Sequence, residues 1–259
     1  MQKSDQDKEE RAGVIMSEYI LETKNLVMQF GGLIAVKDVS ICCKTNEIVG
    51  LIGANGAGKT TLFNMISGQL KPKSGKILFQ GKEIQGTLPH KACRIGIGRT
   101  HQIVQPFGDL TVLENVMVGA LMKHGAVHTA QQKAEEILEL VGLAYRRDVR
   151  GADLNLPELK RLELARAMAT EPSLLLLDEV MAGLNPVDCQ GVVDLIQKIR
   201  DRGMSIILIE HVMKAVMTLS DRVYVLNQGT LISQGTVKEV TEDPAVIASY
   251  LGEKKHAEA

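Results

Sequence analysis

The stretch "EIVGLIGANGAGKTTLFNM", residues 47–65, decides the fold. Its short apolar start reads as a buried strand, the glycines that follow mark a tight loop, and a helical pattern opens at Lys59. Within it "GANGAGKTT", residues 53–61, fits G-x-x-x-x-G-K-[ST] in the strand, loop and helix context that this motif requires. Gly53, Gly56 and Gly58 let backbone N–H groups wrap phosphates, with Asn55, Ala57 and Thr61 completing the loop. Lys59 can place its ammonium against β and γ phosphates, and the Thr60 hydroxyl can ligate Mg²⁺. A glycine-rich turn with a chance lysine is the bland alternative, and the flanking strand and helix weigh against it.

Outward from this unit, "LLLLD" (174–178), "SIILIE" (205–210) and "RVYVL" (222–226) are further buried strands, with a helical pattern over 188–203. Apolar strands alternating with helices imply a parallel sheet covered on both faces. Toward the N-terminus, residues 18–30 and 36–43 read as antiparallel strands separated by "GG", and 75–84 as a hairpin. Residues 112–142 carry helical periodicity. The expected fold class is thus α/β: a P-loop core with a parallel sheet, an N-terminal antiparallel β subdomain and a helical insertion over roughly 95–165. One domain is expected over 18–252, with 1–17 an extension and 253–259 a tail.

The 30 basic and 31 acidic residues nearly cancel, aromatics are 3% and Trp is absent, so there is neither a polycationic footprint nor a base-stacking platform. Nucleic acid is therefore not an expected partner. The cysteines show no metal-ligand spacing and read as reduced, buried thiols. "MQKSDQDKEERAG" has no apolar core of a signal peptide, and no segment has the length to cross a bilayer, so a cytoplasmic location is expected.

Two further strand ends carry chemistry. Asp178 and Glu179 lie at the carboxyl end of a buried strand, where open parallel sheets bind ligands. Asp178 is placed to hold Mg²⁺ directly or through water, and Glu179 to polarise an attacking water. His211 ends another buried strand and could contact a γ-phosphate or that water, although a lone histidine there is more often structural.

In this order the motifs resemble the nucleotide-binding subunit of an ATP-binding cassette (ABC) transporter, from about residue 18 to 252. The resemblance narrows to the branched-chain amino-acid importer branch through "FGGLIAVKDVS", "GRTHQIVQPFGDLTVLENV", "DEVMAGLNP", "LIEHVMKAVMTLSDRVYVL" and "IASYLGE". It implies ATP and Mg²⁺ as ligands, Phe30 as the aromatic that stacks on adenine, and Gln102 as the glutamine that reaches the metal. It further implies that "AGLN" (182–185) communicates across a dimer and that His211 is a switch histidine. His101, Val180 and Val212 depart from the phenylalanine, proline and aspartate usual in this branch.

The resemblance also gives a role to "LNLPE", residues 154–158. Asn155 is a plausible N-cap and Pro157 suits a first helical turn, which makes a helix end of the kind that binds anions. It occupies the place of the family's L-S-G-G-Q, which binds the γ-phosphate of ATP held on the partner subunit. Asn155 replaces the serine, Leu156 and Pro157 the glycines, and Glu158 the glutamine; the lost N–H and the added carboxylate weaken such a site. The implied assembly has two membrane permeases, a second nucleotide-binding subunit forming a heterodimer or a homodimer, and an extracytoplasmic solute-binding protein. The chain would sit peripherally on the cytoplasmic face of the inner membrane, docking through the segment after Gln102, including Pro106 and Phe107. The resemblance is compatible with branched-chain amino acids, amides, urea or aromatic acids as solute. The competing reading is a soluble ABC-type ATPase acting as a regulatory or mechanical factor. A P-loop kinase or GTPase lacks support, since no N-K-x-D motif is present.

Overall fold

The computed structural model describes residues 18–254. Strands β1 (Tyr19–Phe30), β2 (Leu33–Val39) and β3 (Cys42–Lys44) open the chain, followed by β4 (Ile48–Gly53) and helix α1 (Lys59–Ile66). Then come β5 (Ser74–Phe79), β6 (Lys82–Glu83), α2 (Pro89–Ile95) and β7 (Ile97–Arg99). A helical block follows with α3 (Val112–His124), α4 (Val127–Val141) and α5 (Leu156–Met168). The chain closes with β8 (Leu174–Asp178), α6 (Pro186–Arg200), β9 (Ser205–Ile209), α7 (Met213–Leu219), β10 (Arg222–Asn227), β11 (Thr230–Gly235), α8 (Val237–Glu242) and α9 (Pro244–Lys254).

Two sheets form. The antiparallel one runs β2-β1-β5-β6 with β3 also on β1, and the larger runs β11-β10-β4-β9-β8-β7. Every pairing from β10 to β7 is parallel, and only β11 is antiparallel. Strands β4, β8 and β9 are buried along their whole length, which is why their sequences are nearly continuous apolar runs. Alternate residues feed two cores. Ile48, Leu175, Ile206 and Val223 pack with the helical layer of α3–α7, whereas Val49, Leu174, Ile207 and Tyr224 pack with α1 and the antiparallel sheet.

The expected class is the observed one, with local differences. Strand β7 pairs with β8 at the sheet edge, so residues 97–99 belong to the core rather than to a helical insertion starting near 95. Three residues with a central glycine carry no period to read. Strand β11 and the short helices α2, α7 and α8 also escaped the periodicity, and β2 starts three residues before the expected 36. The expected extension at 1–17 lies outside the described residues; α9 covers 253–254 of the expected tail, and the rest lies outside them. Among the described residues no helix is long and apolar enough to cross a membrane.

Candidate active site

The loop between β4 and α1 is shaped by two glycines that nothing else could replace. Gly53 has φ +147° and a Cβ there would lie 2.1 Å from the Leu226 carbonyl oxygen; Gly58 has φ +102° and its Cβ would lie 2.5 Å from that of Ala35. The loop is thus pressed between β10 and β2. Helix α1 starts with no side-chain cap and no acidic residue in its first turn. Its N-terminal N–H groups and dipole face the loop's concavity. The Lys59 ammonium donates to the carbonyls of Gly53 (2.7 Å) and Ala54 (2.8 Å), folded along its own loop.

A cleft of about 510 Å³ lies over this loop. Phe30, Asn55, Gly56, Ala57, Gly58, Lys59, Thr60, Thr61, Gln102 and Glu179 all line it, Phe30 with its ring partly exposed at the end of β1. Gly53 stands behind the loop. An adjoining cavity of about 570 Å³ shares Thr60 and Gln102 and adds Asp178. Thr60, Gln102 and Asp178 line this same cavity and offer side-chain oxygens, the hard donors that Mg²⁺ takes, so these residues fit that ion.

Glu179 has φ +51°, left-handed backbone that costs a non-glycine residue energy and recurs at functional sites. Its N–H still donates to Ile209 O (2.9 Å). Its carboxylate is held from two sides: His211 Nε2 donates to Oε1 (2.9 Å) and Gln102 Nε2 to Oε2 (2.6 Å). The turn therefore aims one carboxylate at the cleft with its orientation set by two other segments.

Several residues here escaped sequence reasoning. Arg99 forms a buried ion pair with Asp178 (Nη2 to Oδ2, 2.9 Å) and donates to Asn64 Oδ1 (2.6 Å) and Ser67 Oγ (2.9 Å). Asp178 keeps Oδ1 outside that pair. Glu163, which accepts the His101 N–H, and Glu210, which accepts the Met181 N–H (3.0 Å), are both pushed up to about 7 by burial. Burial, then Arg99, pushes the His101 imidazole down. An arginine in a glycine-flanked strand was the one local signal available.

The expected helix end at "LNLPE" exists, but none of Asn155, Leu156, Pro157 or Glu158 lines the cleft. Asn155 caps α5 through its Oδ1, which accepts the Glu158 N–H (3.0 Å), and Glu158 Oε2 accepts the Asn155 N–H (3.1 Å), a closed capping box. The expectation that Glu158 repels an anion needs correction. The residue is 5% exposed with its carboxylate turned inward, and Oε1 accepts from Arg146 Nε (2.7 Å) and the Tyr145 hydroxyl (2.9 Å). Burial pushes its pKa up, but Arg146, the Asn155 N–H and Tyr145 together hold it below the usual carboxylate range.

Fold and cleft define an ABC-type ATPase cassette, and residues 36–182 match the family described as "ABC transporter". Two solved ATP-binding cassettes of ABC transporters, one nucleotide-free and one in an ADP conformation, superpose with TM-scores of 0.82 and 0.83 at 31% identity, covering 90% of this chain and 98% and 99% of theirs. The high-affinity branched-chain amino acid transport ATP-binding proteins LivG of Salmonella typhimurium and BraF of Pseudomonas aeruginosa are 41% and 40% identical over 92% of this chain and 100% of their own length. Residues 230–256 match the family described as "Branched-chain amino acid ATP-binding cassette transporter". The chain belongs to the ABC transporter family, in its branched-chain amino acid ATP-binding cassette branch.

Proposed function

We propose that this chain is the ATP-binding and ATP-hydrolysing subunit of an importer for branched-chain amino acids or a related small solute such as an amide, urea or an aromatic acid. The observation that carries the reading is the Glu179 carboxylate, gripped by His211 and Gln102 at the edge of the phosphate-loop cleft. Similarity to LivG and BraF supports the solute class.

ATP is the substrate. Phe30 stacks on its base, the N–H groups over residues 53–61 wrap its phosphates, and Lys59 leaves the loop carbonyls to meet the β and γ phosphates. Thr60, Gln102 and Asp178 would hold Mg²⁺, whose charge offsets that of the phosphates. Glu179 polarises the attacking water, and His211 and Gln102 fix its carboxylate for that task. Residues 18–252 act as one cassette.

The cassette works on the cytoplasmic face of the inner membrane with two permease subunits, a second nucleotide-binding subunit and an extracytoplasmic solute-binding protein. A heterodimer is the favoured pairing over a homodimer, because the closed capping box at "LNLPE" supports a weakened γ-phosphate site beside an intact phosphate loop. Docking on the permeases uses Pro106 and Phe107. The Phe107 backbone is pinned by Asn115 (2.9 and 3.0 Å) and its ring is stacked by the Arg166 guanidinium, which supports a rigid, half-exposed anchor.

The test is ATP turnover of the chain, alone and with its co-purifying partner, with and without Glu179→Gln. Turnover that appears mainly with the partner and falls at least about 100-fold with the substitution is expected. Unchanged turnover in Glu179→Gln removes Glu179 from its role, and robust cooperative turnover by the chain alone overturns the asymmetric pairing.

A further inference from the structure

Lys160 has no role in the chemistry described so far, yet it is 4% exposed, an unusual burial for an ammonium. It sits on α5, five residues beyond the Asn155 cap, with its side chain directed to the other side of the helix from Glu158's partners, into the space where two loops meet. Its Nζ donates to the carbonyl of Glu179 (3.2 Å) and to that of Gln102 (3.3 Å). Those are the two residues whose side chains meet each other at the carboxylate (2.6 Å). The three residues form a closed circuit: one ammonium ties both main chains together, and one side-chain hydrogen bond ties both ends. Glu163 and Glu210 both feel this ammonium, which partly offsets the rise that burial gives each of them.

The backbone of Glu179 gives this circuit something to hold. At φ +51° its carbonyl is turned out of the β8 ladder, and it is caught there by the Ala182 N–H (3.1 Å) and by Lys160. Losing the ammonium would leave the Gln102 carbonyl without this donor and the strained turn at Glu179 with one support fewer. A carboxylate whose Cα can rock moves its oxygens relative to the phosphate loop, and such misplacement lowers the chemical step far more than binding.

We propose that Lys160 is a positioning residue for ATP hydrolysis, fixing the Glu179 turn and the Gln102 segment to helix α5 so that the carboxylate is held in its working orientation. This rests on the reading of Glu179 given above.

The experiment compares the complex with its co-purifying partner carrying Lys160→Met, Lys160→Arg or Glu179→Gln, measuring kcat, KM for ATP, the affinity for a fluorescent ATP analogue and thermal melting. Lys160→Met keeps length and apolar bulk but removes the donors; Lys160→Arg keeps charge and donors. The expected result is a kcat at least tenfold lower in Lys160→Met with nucleotide affinity within twofold of the parent, and recovery of most of that loss in Lys160→Arg. Should Lys160→Met fail to fold, Lys160→Gln is read by the same criteria, since its shorter amide cannot replace the bridging ammonium. A kcat within twofold of the parent in the variant lacking the ammonium, nucleotide affinity falling in step with kcat, or an equal loss in Lys160→Arg would each overturn the proposal. If Glu179→Gln retains turnover, the underlying reading fails; if it abolishes turnover while Lys160→Met does not, only the role of Lys160 fails.

Discussion

Helices α1 and α5 both begin at a junction where a phosphate is expected, and they treat their first N–H groups in opposite ways. The start of α1 has no side-chain cap, a left-handed glycine at Gly58 and no acid in its first turn. The start of α5 is filled by its own chain: Asn155 and Glu158 answer each other's N–H groups, and Pro157 supplies none. One helix end has no side-chain cap and stays available to an anion, while the other has exchanged that availability for stability. Motif position alone would have treated both as phosphate sites.

The largest effect that could break this comparison is at the open end. Gly58→Ala places a methyl 2.5 Å from the Ala35 carbonyl oxygen at a φ of +102°, so the loop must shift away from β2. Nucleotide affinity should fall at least about 100-fold, with stability lower by about 2–3 kcal/mol, read by nucleotide titration and melting. An alanine variant that binds ATP normally would mean that the loop's present shape is not the binding shape. Glu158→Ala at the closed end should lower stability alone. It removes half of the capping box and the partner of Arg146 and should cost about 2 kcal/mol of stability, while ATP affinity at the chain's own phosphate loop stays within twofold.

The open end was readable because everything that makes it is contiguous: nine residues that run from the end of a strand into the first turn of a helix. Asp178, Glu179 and His211 were readable for a related reason, since each terminates a buried apolar run. What stayed hidden is what long-range packing adds. Arg99 and Asp178 are 79 residues apart, and no spacing rule links them. The inward turn of Glu158 depends on Tyr145 and Arg146, 13 and 12 residues earlier in a short 3₁₀ helix, so an exposed, repelling carboxylate was the natural reading of "LNLPE" by itself. Strand β7 was hidden because its pairing with β8, not its composition, makes it a strand.

A gain of function sharpens the comparison further. Leu156→Gly with Pro157→Gly restores a backbone N–H and clears the apolar side chain from the mouth of α5, at about 1 kcal/mol of helix stability for the leucine position. If the closed end is what limits the chain as a homodimer, ATP turnover of the isolated protein should rise about tenfold, equivalent to about 1.4 kcal/mol of barrier. No rise, with folding intact, would place the limitation elsewhere than at the missing N–H.

The smallest effect separates two carboxylates on the same helix. Glu158 is paired and lies below the usual range, so its contribution is present above the unfolded pKa and is lost as pH falls through the depressed value. Glu163, one turn and a half further along, is buried with its Oε2 unpaired and is raised from 4.5 to about 7. Its contribution therefore has the opposite sign: full below about 4.5, it is lost as pH rises through 7, because the unfolded chain releases that proton first. Glu163→Gln keeps an oxygen to accept the His101 N–H and never ionises. Relative to the parent it should be more stable by on the order of 1 kcal/mol at pH 8, with the gain shrinking toward pH 5. Melting curves of the two proteins at both pH values check it. A gain that is equal at both would show that Glu163 carries its charge comfortably in the folded state, and that the helix tolerates an unpaired carboxylate as well as a paired one.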